Sequence, residues 1–271
     1  LQMKIISQNI KLRKFTLNKK SLGFVPTMGG IHRGHISLIR RSIRECNNTI
    51  VSIFINKQQF NKKKDFNKYP RFLESDKSKL KKLKIDILYV PKHKDIYPSG
   101  YNKKIKINSF KKELCGKFRP KHFEAVTDVI DRFIKIINPN KIYFGEKDFQ
   151  QLKILEDFIR NNHPNCKVIA CKTIREKSGL VCSSRNYLLN NKEKMIASKI
   201  FNFIKSNKKK LINKKITINK IKNIFYSMGV KKIDYIEILN INKIIKPFRK
   251  NIKYKIFLAY YLGSTRLIDN I

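Results

Sequence analysis

The 271-residue sequence predicts an α/β protein, with a parallel-sheet domain over residues 1–173 and a smaller α+β domain over 174–271. Apolar, β-branched runs such as 50–55 are typical of strands that are covered on both faces. A strand, a glycine turn and a helix follow one another at 22–46, and the same order returns after 142. Beyond Asn186 the chain changes to helices followed by two strands. These features make the first domain Rossmann-like.

The individual elements follow from apolar periodicity and from the positions of glycine and proline. Residues 3–20 form a lysine-rich lead-in that includes a short helix. The first domain is expected to have helices at 35–46, 70–83, 123–137 and after 148, and strands at 22–25, 50–55, 86–90, 104–108, 142–144 and 167–171. The second is expected to have helices at 191–208 and 217–228 and strands at 233–239 and 256–262.

The formal net charge of +43 has two interpretations. It favours a nucleic-acid partner when taken alone. However, Lys, Ile and Asn are abundant together, as in proteins from AT-rich genomes, and the lysines are dispersed along the chain. The aromatic and basic signature of RNA-recognition folds is absent from the sequence. We therefore expect no specific nucleic-acid partner, although the charge would attract anionic substrates.

Cysteine usage and apolar run lengths narrow the class of protein further. The five cysteines are odd in number and show no Cys-x-x-Cys spacing, which indicates reduced thiols in a cytoplasmic protein and no zinc site. No apolar run approaches the length of a membrane span, so no membrane partner is expected.

The glycine turn at 28–30 is the first candidate binding element. It lies between a strand and a helix, and a helix N-terminus offers free N–H groups to phosphate. His32 and His35 sit at this point and can donate to phosphate oxygens as charge develops there. A loop with two histidines and no ligand is the alternative.

Polar residues after later elements extend the candidate site. Asn56 and Gln59 follow the strand at 50–55, and their amides suit a substrate with hydroxyls and a carboxylate, although turn-forming amides are equally compatible. Arg119 is a natural anion ligand or an ordinary surface arginine, and His122 is expected to have a structural hydrogen-bonding role.

Two further segments carry charge beside glycine. Lys147 can place a point charge on phosphate, while Asp148 can cap the helix, hold ribose or hold a magnesium-bound water. Gln151 lies one helical turn past Lys147. A solvated Lys-Asp pair is the alternative.

The Ser-Ser-Arg-Asn run at 183–186 can form a phosphate clamp, but such loops are common.

The resemblance to one family rests on five motifs that occur in its order over nearly the whole chain. Pro-Thr-Met-Gly-Gly-Ile-His-Arg-Gly-His at 26–35 is similar to the signature of the pantoate–β-alanine ligase (pantothenate synthetase) family, and its His-x-Gly-His core resembles the wider group of nucleotidyl-transferring α/β enzymes. The other motifs are Ser-Ile-Phe-Ile-Asn-Lys-Gln-Gln-Phe at 52–60, Arg-Pro-Lys-His-Phe at 119–123, Tyr-Phe-Gly-Glu-Lys-Asp-Phe-Gln-Gln-Leu at 143–152 and Arg-Glu-x-x-Gly-Leu-Val-Cys-Ser-Ser-Arg-Asn at 175–186. The segments Asp-x-x-x-Tyr-Pro-Arg at 65–71 and Gly-x-x-Arg-Leu-Ile-Asp-Asn at 263–270 also match.

The resemblance implies ATP-dependent condensation of pantoate with β-alanine through pantoyl adenylate, with release of pyrophosphate and AMP. It implies catalytic roles for His35, His32, Lys147 and Arg185, and pantoate contacts for Gln59, Gln151, Asn56 and Arg119, with Gln59 also contacting β-alanine. ATP is expected to contact Met28, Gly29, Gly30, Ile31, His32, Arg33, Gly34, His35, Gly145, Glu146, Lys147, Asp148, Ile174, Cys182, Ser183, Ser184 and Arg185.

Magnesium is expected mainly on the ATP phosphates, with no dedicated protein metal site, and the chain is expected to form a homodimer. Lys57, Lys121 and Ala125 replace a proline and two glycines that are usual in the family, which affects local loop geometry. Two alternatives remain: another nucleotidyltransferase of the same fold, against which Gln59 and Gln151 argue, or a basic RNA-binding protein.

Overall fold

A computed structural model describes residues 2–244 and 252–271, with no account of the side chains of Lys243 and Ile244. Its larger sheet has six strands, all paired in parallel, in the order β1-β4-β3-β2-β5-β6. The strands are β1 (Lys4–Ile6), β2 (Leu22–Thr27), β3 (Asn48–Ile53), β4 (Ile87–Tyr89), β5 (Lys141–Gly145) and β6 (Lys167–Cys171).

Helices cover both faces of this sheet. The helices of this half are α1 (Asn9–Thr16), α2 (Arg33–Glu45), α3 (Lys63–Lys68), α4 (Leu73–Lys82), α5 (His93–Ile96), α6 (Cys115–Phe118), α7 (His122–Ile137) and α8 (Phe149–Asn162), with 3-10 turns at Lys57–Gln59, Ser109–Lys112 and Glu146–Asp148. A further 3-10 turn, Ser184–Leu188, belongs to the C-terminal part. One face packs under α7 and α8, which contribute Val126, Phe133 and Leu155 to a large apolar cluster. The other face packs under α2, through Leu38 and Ile39.

The C-terminal part has an antiparallel sheet and a core of its own. Its elements are α9 (Asn191–Ile212), α10 (Ile218–Ser227), β7 (Lys232–Asn240), α11 (Ile241–Ile244), β8 (Tyr254–Leu262) and β9 (Thr265–Asn270), with strand order β7-β8-β9. Ile204, Phe225 and Leu258 are among the side chains of this second apolar cluster. A further cluster, which includes Phe149 and Phe257, packs this part against the first.

The α/β architecture is as expected, and most predicted elements are present within a few residues. The strand expected at 104–108 is wrong, because that segment is a turn followed by irregular chain. There the side chain of Asn102 accepts a hydrogen bond from the Lys104 amide at 2.9 Å, while the Asn102 amide donates to Asp128 at 3.0 Å. One local bond and one bond to α7 therefore take the place of strand pairing.

Several elements were missed or misplaced. Sequence patterns did not reveal β1, α3, α5 or the strand character of β9. The helix expected to begin at Pro70 begins at Leu73, and β2 continues through Pro26 to Thr27 rather than ending before it. Among the described residues, no helix has both the length and the apolar character needed to cross a membrane.

Strand order locates the site. From β2 the chain builds outward through β3 and β4 on one side, whereas β5 and β6 lie on the other. The order therefore reverses between β2 and β5, and open α/β sheets bind ligands beside the carboxyl ends of strands at such a point. These are the two strands that the sequence identified as being followed by glycine and a helix.

Candidate active site

A cleft of about 330 Å³ lies at the carboxyl ends of β2, β3 and β5 and is bounded on its far side by the C-terminal part. The lining includes most of the residues expected to bind ATP or pantoate: Met28, His32, Gly34, His35, Asn56, Gln59, Arg119, Gly145, Lys147, Asp148, Gln151, Ile174, Cys182, Ser183, Ser184 and Arg185. Five expected ATP ligands lie outside the lining: Gly29, Gly30, Ile31, Arg33 and Glu146. The structure therefore brings the histidine, lysine and arginine candidates together.

The glycine turn is held by a carboxylate that sequence reasoning missed. Gly29 and Gly30 have φ of 80° and 62°, in the left-handed region that favours glycine. Fully buried Asp76 accepts hydrogen bonds from the amides of Gly30 at 2.7 Å and Ile31 at 2.8 Å. These two amides, which precede the N-terminus of α2, are therefore used within the protein. Asp76 lies in the polar helix α4, where no periodic signal marks it.

The two histidines stack at the start of α2, with ring centroids 3.9 Å apart. His32 caps the helix, and its Nδ1 accepts from the Gly34 amide at 3.1 Å. This bond leaves the proton of the neutral ring on Nε2. His35 Nδ1 is buried and has no hydrogen-bond partner in the described part of the chain. Such an unpaired buried atom is typical of a group that faces a ligand.

Burial and neighbouring positive charge keep both imidazoles neutral. Burial, then His35 and Lys147, lower the pKa of His32 to about 2. Burial, then Lys147 and Lys79, lower the pKa of His35 to about 4. At neutral pH each ring is therefore a neutral hydrogen-bonding group, and the positive charge of the site belongs to lysine and arginine.

Lys147 supplies that charge beside β5. It lies in the 3-10 turn Glu146–Asp148, with a side chain that is 20% exposed, and its Nζ is 3.2 Å from the Asp148 carboxylate. Asp148 is far more exposed, at 45%, so its carboxylate faces solvent at the cleft. Within the described residues no group of three or more His, Cys, Asp or Glu side chains forms a metal site.

The amides after β3 divide into two kinds. Asn56 is buried, and its amide is used within the protein: it donates to the Ala125 carbonyl at 3.2 Å and accepts from the Tyr97 hydroxyl at 3.0 Å. Gln59 lines the cleft, and its Nε2 contacts Met28 Sδ at 3.0 Å. Gln59 is thus better placed than Asn56 to contact a substrate.

Two side chains, one before α7 and one at its first residue, fix the backbone of Gln59. Arg119 donates to the Gln59 carbonyl at 3.2 Å, and His122 Nδ1 lies 2.8 Å from the same oxygen. The structural role expected for His122 is confirmed by this bond. Burial lowers the pKa of His122 well below its usual range and, with the nearby arginines, lowers the pKa of Arg119 to about 10.

The Ser-Ser-Arg segment crosses from the C-terminal part to the first sheet. Ser184 Oγ donates to the Gly30 carbonyl at 3.1 Å. Arg185 forms two bonds with Asp65, at 2.7 and 3.0 Å. Although burial disfavours both charges, this pairing raises the pKa of Arg185 and lowers that of Asp65. Sequence reasoning did not select Asp65, although it lies in the Asp-x-x-x-Tyr-Pro-Arg match.

Other residues at the cleft were also missed. Tyr69, in the same match, is buried and lines the cleft. Arg266 lines it from β9 and is held by Asp234 at 2.7 Å, with both Nη atoms 3.7 Å from Cys115 Sγ. Both residues lie in segments that match the family: Tyr69 in 65–71 and Arg266 in 263–270.

A parallel sheet with paired strand–glycine–helix units, neutral imidazoles and convergent lysine and arginine side chains defines a nucleotide-binding α/β protein with an anion-binding cleft. Comparison with known proteins makes this class specific. The family model for pantoate-beta-alanine ligase matches residues 3–271. The chain therefore belongs to the pantoate–β-alanine ligase family.

Curated relatives and solved structures agree with the family. A pantothenate synthetase of Sulfurihydrogenibium sp. is 40% identical over 258 residues, 93% of this chain and 92% of the relative. That of Flavobacterium psychrophilum is 38% identical over 266 residues, covering 96% and 94%. A pantoate-beta-alanine ligase from Francisella tularensis, complexed with Beta-gamma ATP and Beta-alanine, has a TM-score of 0.86 at 35% identity, covering 99% and 97%. A pantothenate synthetase from Thermus thermophilus has a TM-score of 0.87 at 29% identity, covering 99% of each chain.

Proposed function

We propose that this protein condenses pantoate with β-alanine at the expense of ATP and forms pantothenate through a pantoyl adenylate. The observation that carries the proposal is the cleft at the β2–β5 switch, which His35, with an unpaired Nδ1, lines together with Lys147 and Arg185. Membership of the pantoate–β-alanine ligase family identifies the substrates in this proposal.

The proposed reaction has two steps. In the first, a carboxylate oxygen of pantoate attacks the α-phosphorus of ATP, the bond to the β-phosphate oxygen breaks, and pyrophosphate leaves with its electron pair. In the second, the neutral amine of β-alanine attacks the acyl carbon, the bond to the phosphate oxygen breaks, and the amine loses a proton as AMP leaves. Neither step requires a covalent protein nucleophile.

Charge around the phosphates drives the first step. Lys147 and Arg185 provide fixed positive charge, and the neutral rings of His32 and His35 provide oriented hydrogen bonds that strengthen as negative charge develops. The segments 28–35, 145–148, 174 and 182–185 surround the nucleotide in this account. Gly29, Gly30, Ile31, Arg33 and Glu146, which lie outside the lining, contribute the backbone shape of their loops.

The part of the cleft away from the nucleotide positions pantoate and β-alanine. Gln59 and Gln151 line it and are assigned to pantoate, with Gln59 also contacting β-alanine, because an amide binds hydroxyl and carboxylate groups alike. Asn56 acts indirectly, through its hydrogen bonds to Ala125 and Tyr97. Arg119 places its cation near the same end.

A magnesium ion fits the residues present when it is carried mainly by ATP. Mg²⁺ uses one or two carboxylates together with substrate phosphates, and Asp148 offers one carboxylate at the cleft. When bound, the ion would neutralise phosphate charge. Asp148 would hold it through a water and keep Lys147 directed toward the phosphates.

The organisation around this site completes the proposal. We place a domain boundary at 173–174, which the separate apolar core of the C-terminal part supports. We also propose a homodimer, on the family resemblance, which light scattering on the purified protein tests. A cytoplasmic location is supported by five cysteines that are all buried free thiols.

The decisive experiment measures AMP release with ATP, pantoate and β-alanine, with each omitted in turn. We expect pyrophosphate from ATP and pantoate alone, and pantothenate with stoichiometric AMP only when β-alanine is present. Turnover of ATP with another acceptor, and none with pantoate, would favour a different nucleotidyltransferase. Salt-dependent RNA binding without ATP turnover would favour the RNA-binding alternative.

A further inference from the structure

Asn270, at the end of β9, reaches across to the turn that carries Lys147. Its Nδ2 donates to the carbonyl oxygens of Glu146 at 2.9 Å and Lys147 at 2.8 Å. The side chain is only 5% exposed, and more than 120 residues separate donor and acceptors. One amide from the C-terminal sheet therefore binds two successive carbonyls of the 3-10 turn Glu146–Asp148.

The other half of the same amide is also occupied. Lys255 Nζ, on the neighbouring strand β8, donates to Asn270 Oδ1 at 2.8 Å. Because two carbonyls need the NH₂ group and an ammonium needs the oxygen, these partners fix which way the amide points. Lys255 is itself half-buried, with its Nζ 5.3 Å from the centre of the Phe149 ring, and burial lowers its pKa.

We infer that Asn270 is a positioning residue that fixes the Glu146–Asp148 turn so that the Lys147 ammonium enters the nucleotide end of the cleft, and that Lys255 orients Asn270 for this task. The inference rests on the role proposed for Lys147. Asn270 lines the cleft, but its Nδ2 donates to two backbone carbonyls and is therefore not free for phosphate. It acts through the turn.

A small displacement of the Glu146–Asp148 turn would move the Lys147 ammonium relative to the phosphates. Lys147 reaches the cleft on a flexible side chain, so its position depends on where its backbone is anchored. A displacement of about 1 Å in a positioning element can cost about 100-fold in rate. Asn270→Asp replaces the NH₂ group with a carboxylate oxygen, which repels the Glu146 and Lys147 carbonyls instead of donating to them. The other carboxylate oxygen still accepts from Lys255, and the side-chain volume hardly changes.

The test compares binding of a non-hydrolysable ATP analogue by calorimetry. We expect Asn270→Asp to raise the Kd by about 10- to 100-fold, and to raise the KM for ATP far more than that for β-alanine. Lys255→Met should raise the Kd in the same direction by a smaller factor. Lys253→Met, which removes an exposed lysine two residues earlier, is the matched control and should leave the Kd unchanged.

Two further measurements separate positioning from general destabilisation. Hydrogen exchange of peptides that cover 142–152 should accelerate in Asn270→Asp, while peptides from α10 exchange as in the wild type. Adding Asn270→Asp to Lys147→Ala should change the Kd by less than about twofold, because the effect passes through Lys147. If Asn270→Asp fails to fold, Lys255→Met carries the same comparison.

The inference and the proposed function can fail separately. A wild-type protein that makes no pantothenate contradicts the function, while analogue binding and hydrogen exchange still test Asn270. An active wild type whose Asn270→Asp and Lys255→Met variants match it in Kd and in exchange at 142–152 overturns the positioning role. Equal weakening when Asn270→Asp is placed on wild type and on Lys147→Ala also overturns it.

Discussion

The carboxylate of Asp76 accepts a hydrogen bond from the Gly30 amide at 2.7 Å, and this contact joins helix α4 to the turn that opens the nucleotide end of the cleft. Gly30 has a φ of 62°, and an added Cβ would lie 3.0 Å from Ser184. The turn is therefore held by Asp76 on one side and packed against Ser184 on the other. Its shape depends on contacts far away in sequence.

Asp76→Ala should reduce adenylate formation about 10- to 100-fold and lower the free energy of unfolding by about 2–4 kcal/mol, since it leaves two buried amides without partners. Pyrophosphate release and urea denaturation measure the two effects. Glu74→Ala is the matched control, because that carboxylate lies on the same helix and is 83% exposed. Equal behaviour of the two variants would contradict the anchoring role.

Features set by residues close together in the sequence could be predicted, whereas contacts between residues far apart in the sequence could not. Local order was available: the run at 22–46 has a strand, glycines and an apolar helix face, and the structure has β2, the turn and α2 there. The contact between Asp76 and Gly30 spans 46 residues, and that between Arg185 and Asp65 spans 120. Neither pairing changes any local pattern, so one sequence cannot show it.

The strand predicted at 104–108 is wrong because a contact with a residue distant in sequence determines the structure of that segment. Alternating Lys and Ile in that segment gives a strand pattern, but a strand also requires a neighbour. Asp128, on α7, binds the Asn102 amide and holds the start of the segment as a turn. Tertiary contact overrides the local pattern there.

His35→Ala should lower adenylate formation by about two to three orders of magnitude, the range for losing a donor directed at developing charge. His32→Ala should also do so, with a larger share of the loss in ATP binding, because His32 caps α2 as well. Pyrophosphate release from ATP plus pantoate is the measurement. His93→Ala is the control, since that exposed ring pairs with Tyr101 outside the cleft lining. Unchanged pyrophosphate release in His35→Ala would remove it from the chemistry.

The same histidines predict how stability depends on pH. Burial lowers their pKa from 6.5 in an unfolded chain to about 4 for His35 and about 2 for His32. Between pH 6.5 and 4 the unfolded chain therefore binds protons that the folded chain does not, so the free energy of unfolding falls as pH falls, by up to about 1.4 kcal/mol per pH unit for each histidine. Denaturation of wild type and of His32→Gln/His35→Gln between about pH 7.5 and 5 should show a shallower slope in the variant. Parallel slopes would mean that these rings titrate normally.

Lys121 stands where the resemblance implies a glycine, and its backbone conformation predicts how stability changes when it is replaced. Its φ is 60°, in the left-handed region that costs a residue with a Cβ about 1 kcal/mol or more. Lys121→Gly should raise the free energy of unfolding by about 0.5–1 kcal/mol. Ala125→Gly, at the second departure, should lower it by about 1 kcal/mol, since Ala125 lies within helix α7. Chemical denaturation measures both, and a loss of stability in both variants would contradict the strain at Lys121.

Arg185 and Asp65, which both line the cleft, form an ion pair. It connects the C-terminal part to α3 through bonds of 2.7 and 3.0 Å, and Ser184 contacts the glycine turn beside it. An acyl adenylate hydrolyses readily, so a closed segment that excludes water should protect it until the amine arrives. Loss of the pair should therefore release AMP without pantothenate.

Two variants separate the charge of Arg185 from the closure that it makes with Asp65. Arg185→Ala should slow the first step, because it removes phosphate-facing charge, and should also leak AMP. Asp65→Asn keeps the arginine and removes only the ion pair, so it should leak AMP with little loss in the first step. The measurement is the ratio of AMP to pantothenate with β-alanine present, with Asp157→Asn, on a more exposed ion pair outside the cleft lining, as the control. A ratio of one in both Arg185→Ala and Asp65→Asn would leave Arg185 with charge stabilisation alone and exclude a protective closure.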